Sequence, residues 1–172
     1  VSFDDEPQKD FKNLKFLNNR LASKYVKLKE CSSHKDKVYD IIGFLEKINE
    51  CLAEINSHFG YRVRDEISFY LLYAIEEGLL EFDAAMDNAV KQKILPRIQG
   101  SNIRTKEVLL QLLELLANIP TGKYDVYDSE IALKLKKDLV DSQANVKYEK
   151  SISKIIRMIR RFDLDGFTAF WE

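Results

Sequence analysis

A chain of 172 residues, 45% hydrophobic and 32% charged, is long enough to close a core of its own without disulfides or bound metal. Its formal net charge of −1 gives no overall pull toward nucleic acid or an anionic membrane. Six glycines and three prolines are few turn formers for this length, and the abundance of Leu, Ile, Lys and Glu points to helices rather than many short strands.

Taken in chain order, Phe11, Leu14, Leu17, Leu21, Tyr25 and Leu28 recur at spacings of three and four and predict one face of a helix. Cys31 to Asp36 is polar and reads as a loop. A second helix carries Val38, Ile41, Ile42, Leu45, Ile48, Leu52 and Ile55 on one stripe and is broken at Gly60. A third begins near Arg62 with Ile67, Tyr70, Leu71, Ala74 and Ile75 inward. Asp65 and Glu66 lie in its first turns, where the helix dipole favours them, and Gly78 suits its C-terminal end.

A fourth helix spans about Glu81 to Leu95 with Phe82, Ala85, Met86, Ala89, Val90 and Ile94 inward, and Pro96 ends it. Arg97 to Asn102 reads as a turn. A fifth helix runs from about Thr105 to Asn118 with Val108, Leu109, Leu112, Leu113 and Leu116 buried, and Pro120 to Asp128 is a loop. Two further helices are expected near Ser129–Ser142 and Ser151–Phe162, the last with Ile152, Ile155, Ile156 and Ile159 inward. The aromatic tail from Gly166 to Trp171 is expected to dock on the helices through Phe167, Phe170 and Trp171. The fold class is therefore all-α, an irregular bundle of about six to eight helices.

Chemistry is conspicuous by what is missing. Gly122-Lys123 is the single Gly-Lys pair, yet Tyr124 follows where Ser or Thr would hold magnesium, and Ala117 stands where a phosphate loop needs its first glycine. No His-Glu-x-x-His, Gly-x-Ser-x-Gly or kinase signature occurs, so no catalytic residue is assigned. The many carboxylates read as solvated helix faces, and so does the basic cluster Lys150, Lys154, Arg157, Arg160 and Arg161, with a phosphate-contacting patch as the lesser reading. Cys31 and Cys51 read as reduced, partly buried thiols of a cytoplasmic protein, with a disulfide as the lesser reading. No other cysteine accompanies them and His34 and His58 are the sole histidines, so a structural zinc site is not expected. No apolar run is long enough to span a bilayer, and no signal peptide is visible. The opening residue, Val1, reads as a cut on the N-terminal side of something longer.

Three segments resemble the C-terminal region of McrB-like AAA+ NTPases of modification-dependent (5-methylcytosine) restriction systems. The first is Ile48-Asn49 followed by Phe59-Gly60-Tyr61-Arg62-Val63-Arg64-Asp65-Glu66-Ile67. The second is Asp87, then Lys93-Ile94-Leu95-Pro96-Arg97-Ile98-Gln99-Gly100. The third is the Ser151-x-x-Lys154 helix carrying Met158, closing on Gly166-Phe167-Thr168-Ala169-Phe170-Trp171. The match covers about residues 45–118 and 150–172. Residues 1–44 are a leading helix and loop, 45–172 are similar to the family's helical lid domain, and 120–149 form a variable connection within it.

The resemblance implies an AAA+ lid-like bundle that contributes nucleotide sensing and subunit contacts to a GTPase or ATPase motor. Arg62 is the implied sensor-2-like residue and Arg64 its alternate, since a guanidinium at a helix start can hold phosphate oxygens bidentately. The competing reading is local pairing of Arg62 with Asp65 or Glu66. Lys93 and Arg97 are implied subunit or nucleotide contacts, against a plainer reading as cations favoured at a helix C-terminus. No cofactor is expected in this segment itself, whereas GTP or ATP with Mg is expected for the full-length protein. The implied partners are the upstream AAA+ core of the same protein, a ring homo-oligomer, a McrC-like nuclease subunit and DNA held through other domains, with no membrane. From another class, a stand-alone helical interaction module without a nucleotide role fits the same composition, as does a helical nucleic-acid-binding domain, which would bind DNA in a salt-dependent way.

Overall fold

The structure, a computed structural model, describes residues 34–141 and 147–171. The helix expected over Phe11–Leu28 and the thiol of Cys31 lie outside the described residues. Six α-helices follow one another: α1 (Lys35–Ala53), α2 (Tyr61–Glu76), α3 (Phe82–Ala89), α4 (Ile103–Ala117), α5 (Ile131–Asp141) and α6 (Glu149–Asp165). Among the described residues there is no β-strand, and the chain is an all-α bundle.

Helix α1 obeys its stripe, with Val38, Ile41, Leu45, Ile48 and Leu52 buried at alternating spacings of three and four. It starts at Lys35, inside the segment expected to be a loop, and crosses position 44 without a break. In α2 the buried set is Ile67, Ser68, Leu71, Leu72 and Ala74. Tyr70, expected inward, is exposed, and Leu72 is buried in a satellite cluster with Val38, flanked by Ile42, Phe69 and Tyr73. Gly78 follows the helix with φ +61, the left-handed geometry that glycine enters without a Cβ penalty.

The fourth predicted helix is not one regular helix. After α3 the ladder widens into a π turn over Val90–Ile94 and then tightens into a 3-10 turn over Leu95–Arg97. Pro96 has no N–H to donate and its ring crowds the preceding turn, so an α ladder cannot run through it. The Leu95 amide reaches back five residues to the Val90 carbonyl, and the Ile98 amide reaches back three to Leu95 at 3.0 Å. The change of register leaves Val90, Ile94, Leu95 and Ile98 all buried.

Helix α4 is the centre of the bundle. Asn102 caps it by accepting from the Arg104 amide at 3.0 Å, and Asn118 closes it in a left-handed conformation. Its apolar residues exceed a stripe: Val108, Leu109, Leu110, Leu112, Leu113 and Leu116 are all buried, and α1 and α6 pack on it from two sides. Each fully buried Leu contributes about 1.5–3 kcal/mol, so α4 dominates the core. Helix α5 packs chiefly on α6.

The tail departs from expectation. Trp171 is 80% exposed and Phe167 is exposed too; Phe170 is the aromatic that packs against the core. The residue that goes fully inside is Thr168. A two-way backbone bridge explains this: Gly100 donates to Thr168 at 2.9 Å and Thr168 donates back at 3.0 Å, which fixes the facing of each tail residue whatever its hydrophobicity.

Candidate functional site: the start of α2 and the π turn beside it

The chain enters α2 through a clamp. The Asn49 side chain on α1 treats Phe59 as a strand partner would, donating to its carbonyl at 3.0 Å and accepting from its amide at 2.7 Å. Phe59 is thereby buried, and Gly60 in an extended conformation turns the chain into the helix. Gly60 offers α2 no side-chain cap, and its carbonyl takes the amides of Val63 at 3.1 Å and Arg64 at 3.4 Å.

Arg62 sits in the first turn with its side chain 91% exposed. It bonds Glu66, one turn on, at 3.1 Å. From the π turn, Lys93 reaches the other oxygen of the same carboxylate at 3.2 Å. Glu66 thus holds two cations together, and the hydrogen bond from Lys93, with that from Arg62 next, draws its carboxyl below the usual range. A shallow cavity of about 390 Å³ lies alongside, lined by Glu66, Tyr70, Gln92 and Lys93 among others.

Arg64 belongs elsewhere. It pairs with Asp65 at 2.7 Å and lies 4.8 Å from the centre of the Tyr61 ring, in a second hollow shared with Asn49 and Phe59. Arg97 is exposed at the end of the 3-10 turn and takes no ion pair among the described residues. Of the four predicted site residues, the structure therefore brings Arg62 and Lys93 together and leaves Arg64 and Arg97 apart. Glu66, which joins the pair, is not among those four; its sequence position marks it as a carboxylate favoured by the helix dipole and a competitor for Arg62.

Asp87 and Ser151 act as a joint between α3 and α6. Asp87, at the end of α3, is buried and accepts from the amides of Lys150 at 2.9 Å and Ser151 at 2.8 Å, while the Ser151 hydroxyl donates to the Asp87 carbonyl at 3.0 Å. One carboxylate thus caps α6 from another helix. A second buried carboxylate, Asp163 on α6, meets Lys106 on α4 at 2.5 Å with the two side chains 4% and 2% exposed. Lys106 also donates to the Asp128 carbonyl at 2.9 Å. Burial pushes the Asp163 carboxyl up more than Lys106 draws it down, and its Oδ2 has no hydrogen-bond partner among the described residues. These two residues correct the expectation that the carboxylates are all solvated. The basic cluster on α6 does remain outward: Lys150, Arg157, Arg160 and Arg161 are exposed, and Lys154 lies half-buried over the Phe170 ring at 4.7 Å.

Cys51 is half-buried, and burial raises its thiol, which keeps it protonated and slow to react. Among the described residues no group of three or more His, Cys, Asp or Glu is placed to hold a metal, and no helix is long and apolar enough to cross a membrane. What the Arg62–Glu66–Lys93 arrangement can do is bind. An anion arriving at the open start of α2 meets two cations whose surface ion pairs cost little to exchange. No curated protein and no solved structure matches the chain. The sequence profile of a family described as a domain of unknown function, DUF8727, matches residues 10–167, and the chain belongs to that family.

Proposed function

We propose that this bundle is the helical lid of a McrB-like AAA+ motor, placing Arg62 against the phosphates of GTP or ATP held by a core encoded upstream. The observation that carries the reading is the exposed Arg62 guanidinium at an uncapped helix start, with Lys93 beside it. A lid needs a rigid body and a cation free to travel to phosphate, and the Arg62–Glu66 bond is a surface pair worth at most about 1 kcal/mol. The phosphate's charge and bidentate geometry exceed what Glu66 offers. The ring assembly, the McrC-like nuclease partner, the DNA held by other domains, the Mg that accompanies the nucleotide and the cytoplasmic location all belong to this proposal. They rest on the resemblance of the three segments.

The test has two steps. The gene upstream of Val1 should encode a phosphate loop and an acidic Walker B strand; a gene without them ends the proposal. In the full-length protein, Arg62→Ala should lower hydrolysis by about ten- to a thousandfold with folding intact, while Arg64→Ala leaves it near the parent rate. The reverse order would move the sensor to Arg64. Parent rates in both variants would remove this surface from nucleotide sensing.

A further inference from the structure

A groove of about 710 Å³ lies away from the start of α2, between α5 and α6. Ile152 and Ile156 of α6 lie in it, and Leu133 and Val140 of α5 flank it. These last two are large apolar side chains left 61% and 70% exposed, seven positions apart on one face of a helix. The residues α5 buries in the core are others, Ile131, Ala132 and Leu135.

The rim is cationic. Lys136, Arg157 and Arg160 line the groove, against a single carboxylate, Glu149. None of the three takes an ion pair among the described residues, whereas the nearby Lys123, Lys134 and Lys147 are each matched to an aspartate. An apolar floor between unmatched cations asks for a ligand that is apolar on one face and acidic on its flanks. We propose that this groove seats an acidic amphipathic helix of a partner protein.

Charge excludes the other occupants within reach. The chain's own stretch Phe11–Leu28 carries Lys12, Lys15, Arg20, Lys24 and Lys27 with no Asp or Glu among them, a charge that does not complement a cationic rim. A second copy would present the same α5, with Lys134, Lys136 and Lys137, to the same cations. An anionic bilayer is flat and would meet the rim cations without filling the concave floor. A helix presenting apolar residues at i, i+3 or i+4 and i+7 matches the 11 residues of α5, a length of about 16 Å. A seat this short lies below the size of a stable interface, so the complex belongs to the weak, reversible class with micromolar affinity.

The experiment is a display selection on the whole 172-residue chain. The probe is a random-sequence peptide library long enough for about four helical turns. Binders of Leu133→Ser/Val140→Ser are discarded, and both this variant and Arg157→Glu/Arg160→Glu are first checked for parental circular dichroism. Enriched peptides should share the helical apolar spacing and carry Asp or Glu beside it. Arg157→Glu/Arg160→Glu should weaken them by about tenfold and select lysine-flanked peptides instead. The proposal is overturned if no peptide prefers the parent to the serine variant, or if the enriched peptides are neutral or basic. It is overturned in favour of a membrane if phosphatidylserine vesicles sediment the parent but not the serine variant while no peptide binds. It is overturned in favour of a second copy if sedimentation equilibrium finds a dimer that the serine variant abolishes.

Discussion

Removing one partner of the Lys106–Asp163 pair should be far worse than removing both. Lys106→Met deletes the counter-charge that the described residues offer a carboxylate whose side chain is 4% exposed and whose Oδ2 has no hydrogen-bond partner among them. Breaking a buried pair in this way costs about 3–5 kcal/mol, because the surviving charge stays out of water. Asp163→Leu strands the ammonium in the same way, relieved in part by the Asp128 carbonyl that Lys106 also reaches. The double variant Lys106→Met/Asp163→Leu removes both desolvation costs and loses that one hydrogen bond, about 1 kcal/mol, so it should fall within about 2 kcal/mol of the parent. The pH dependence has a definite sign. Burial raises the folded-state pKa of Asp163, so the native chain holds that proton more tightly than the unfolded chain. The stabilisation from this group is therefore full below the ordinary aspartate pKa of 3.8 and is lost as pH rises through the raised value. The double variant should lack that slope. Urea unfolding followed by far-ultraviolet circular dichroism is the suitable assay, since the exposed Trp171 gives fluorescence little to report. Single variants within about 1 kcal/mol of the parent, or a double variant as unstable as the sum of the two, would refute the reasoning.

Asp87→Ala should destabilise by about 2–4 kcal/mol, since two α6 amides lose their acceptor at a buried site, and Asp87→Asn should recover part of it; an exposed-residue effect near zero in urea titrations would contradict the cap. In the tail, Trp171→Ala should shift stability by less than about 0.5 kcal/mol, while Thr168→Pro, which deletes an amide of the bridge, should cost several times more; the reverse ranking by thermal melts would contradict the bridge. Lys93→Ala should raise the Glu66 pKa toward its ordinary value more than Arg62→Ala does, as read by side-chain carboxyl NMR titration, and an unmoved Glu66 in both variants would dissolve the cluster.

The main helices were legible because burial repeats with the period of the helix. Val38, Ile41, Leu45, Ile48 and Leu52 state α1 without ambiguity, and Arg62 in the next helix's first turn could be read directly, whereas α1 ends at Ala53, ahead of the break expected at Gly60. What escaped was set by contacts distant in sequence. A lysine or aspartate inside an amphipathic run looks solvated, and nothing local distinguishes Lys106 or Asp163 from their exposed neighbours. Trp171 was expected inside on hydrophobicity alone, but the Gly100–Thr168 bridge settles which tail residues face the core. Pro96 announced an interruption without telling how the ladder would absorb it, and the π turn that carries Lys93 to Glu66 follows from that choice.

Because the carboxylate that caps α6 is supplied from 63 and 64 positions earlier in the chain, α6 has no local means of finishing its own first turn. Nucleating a helix is the costly step, and here the help arrives only after a long loop has closed. Synthesis of the last helix and its consolidation are therefore separate events in time. An isolated peptide spanning residues 149–165 would fray from its start, and in the intact chain the first turn of α6 gains hydrogen-exchange protection together with the docking of α3, not before it.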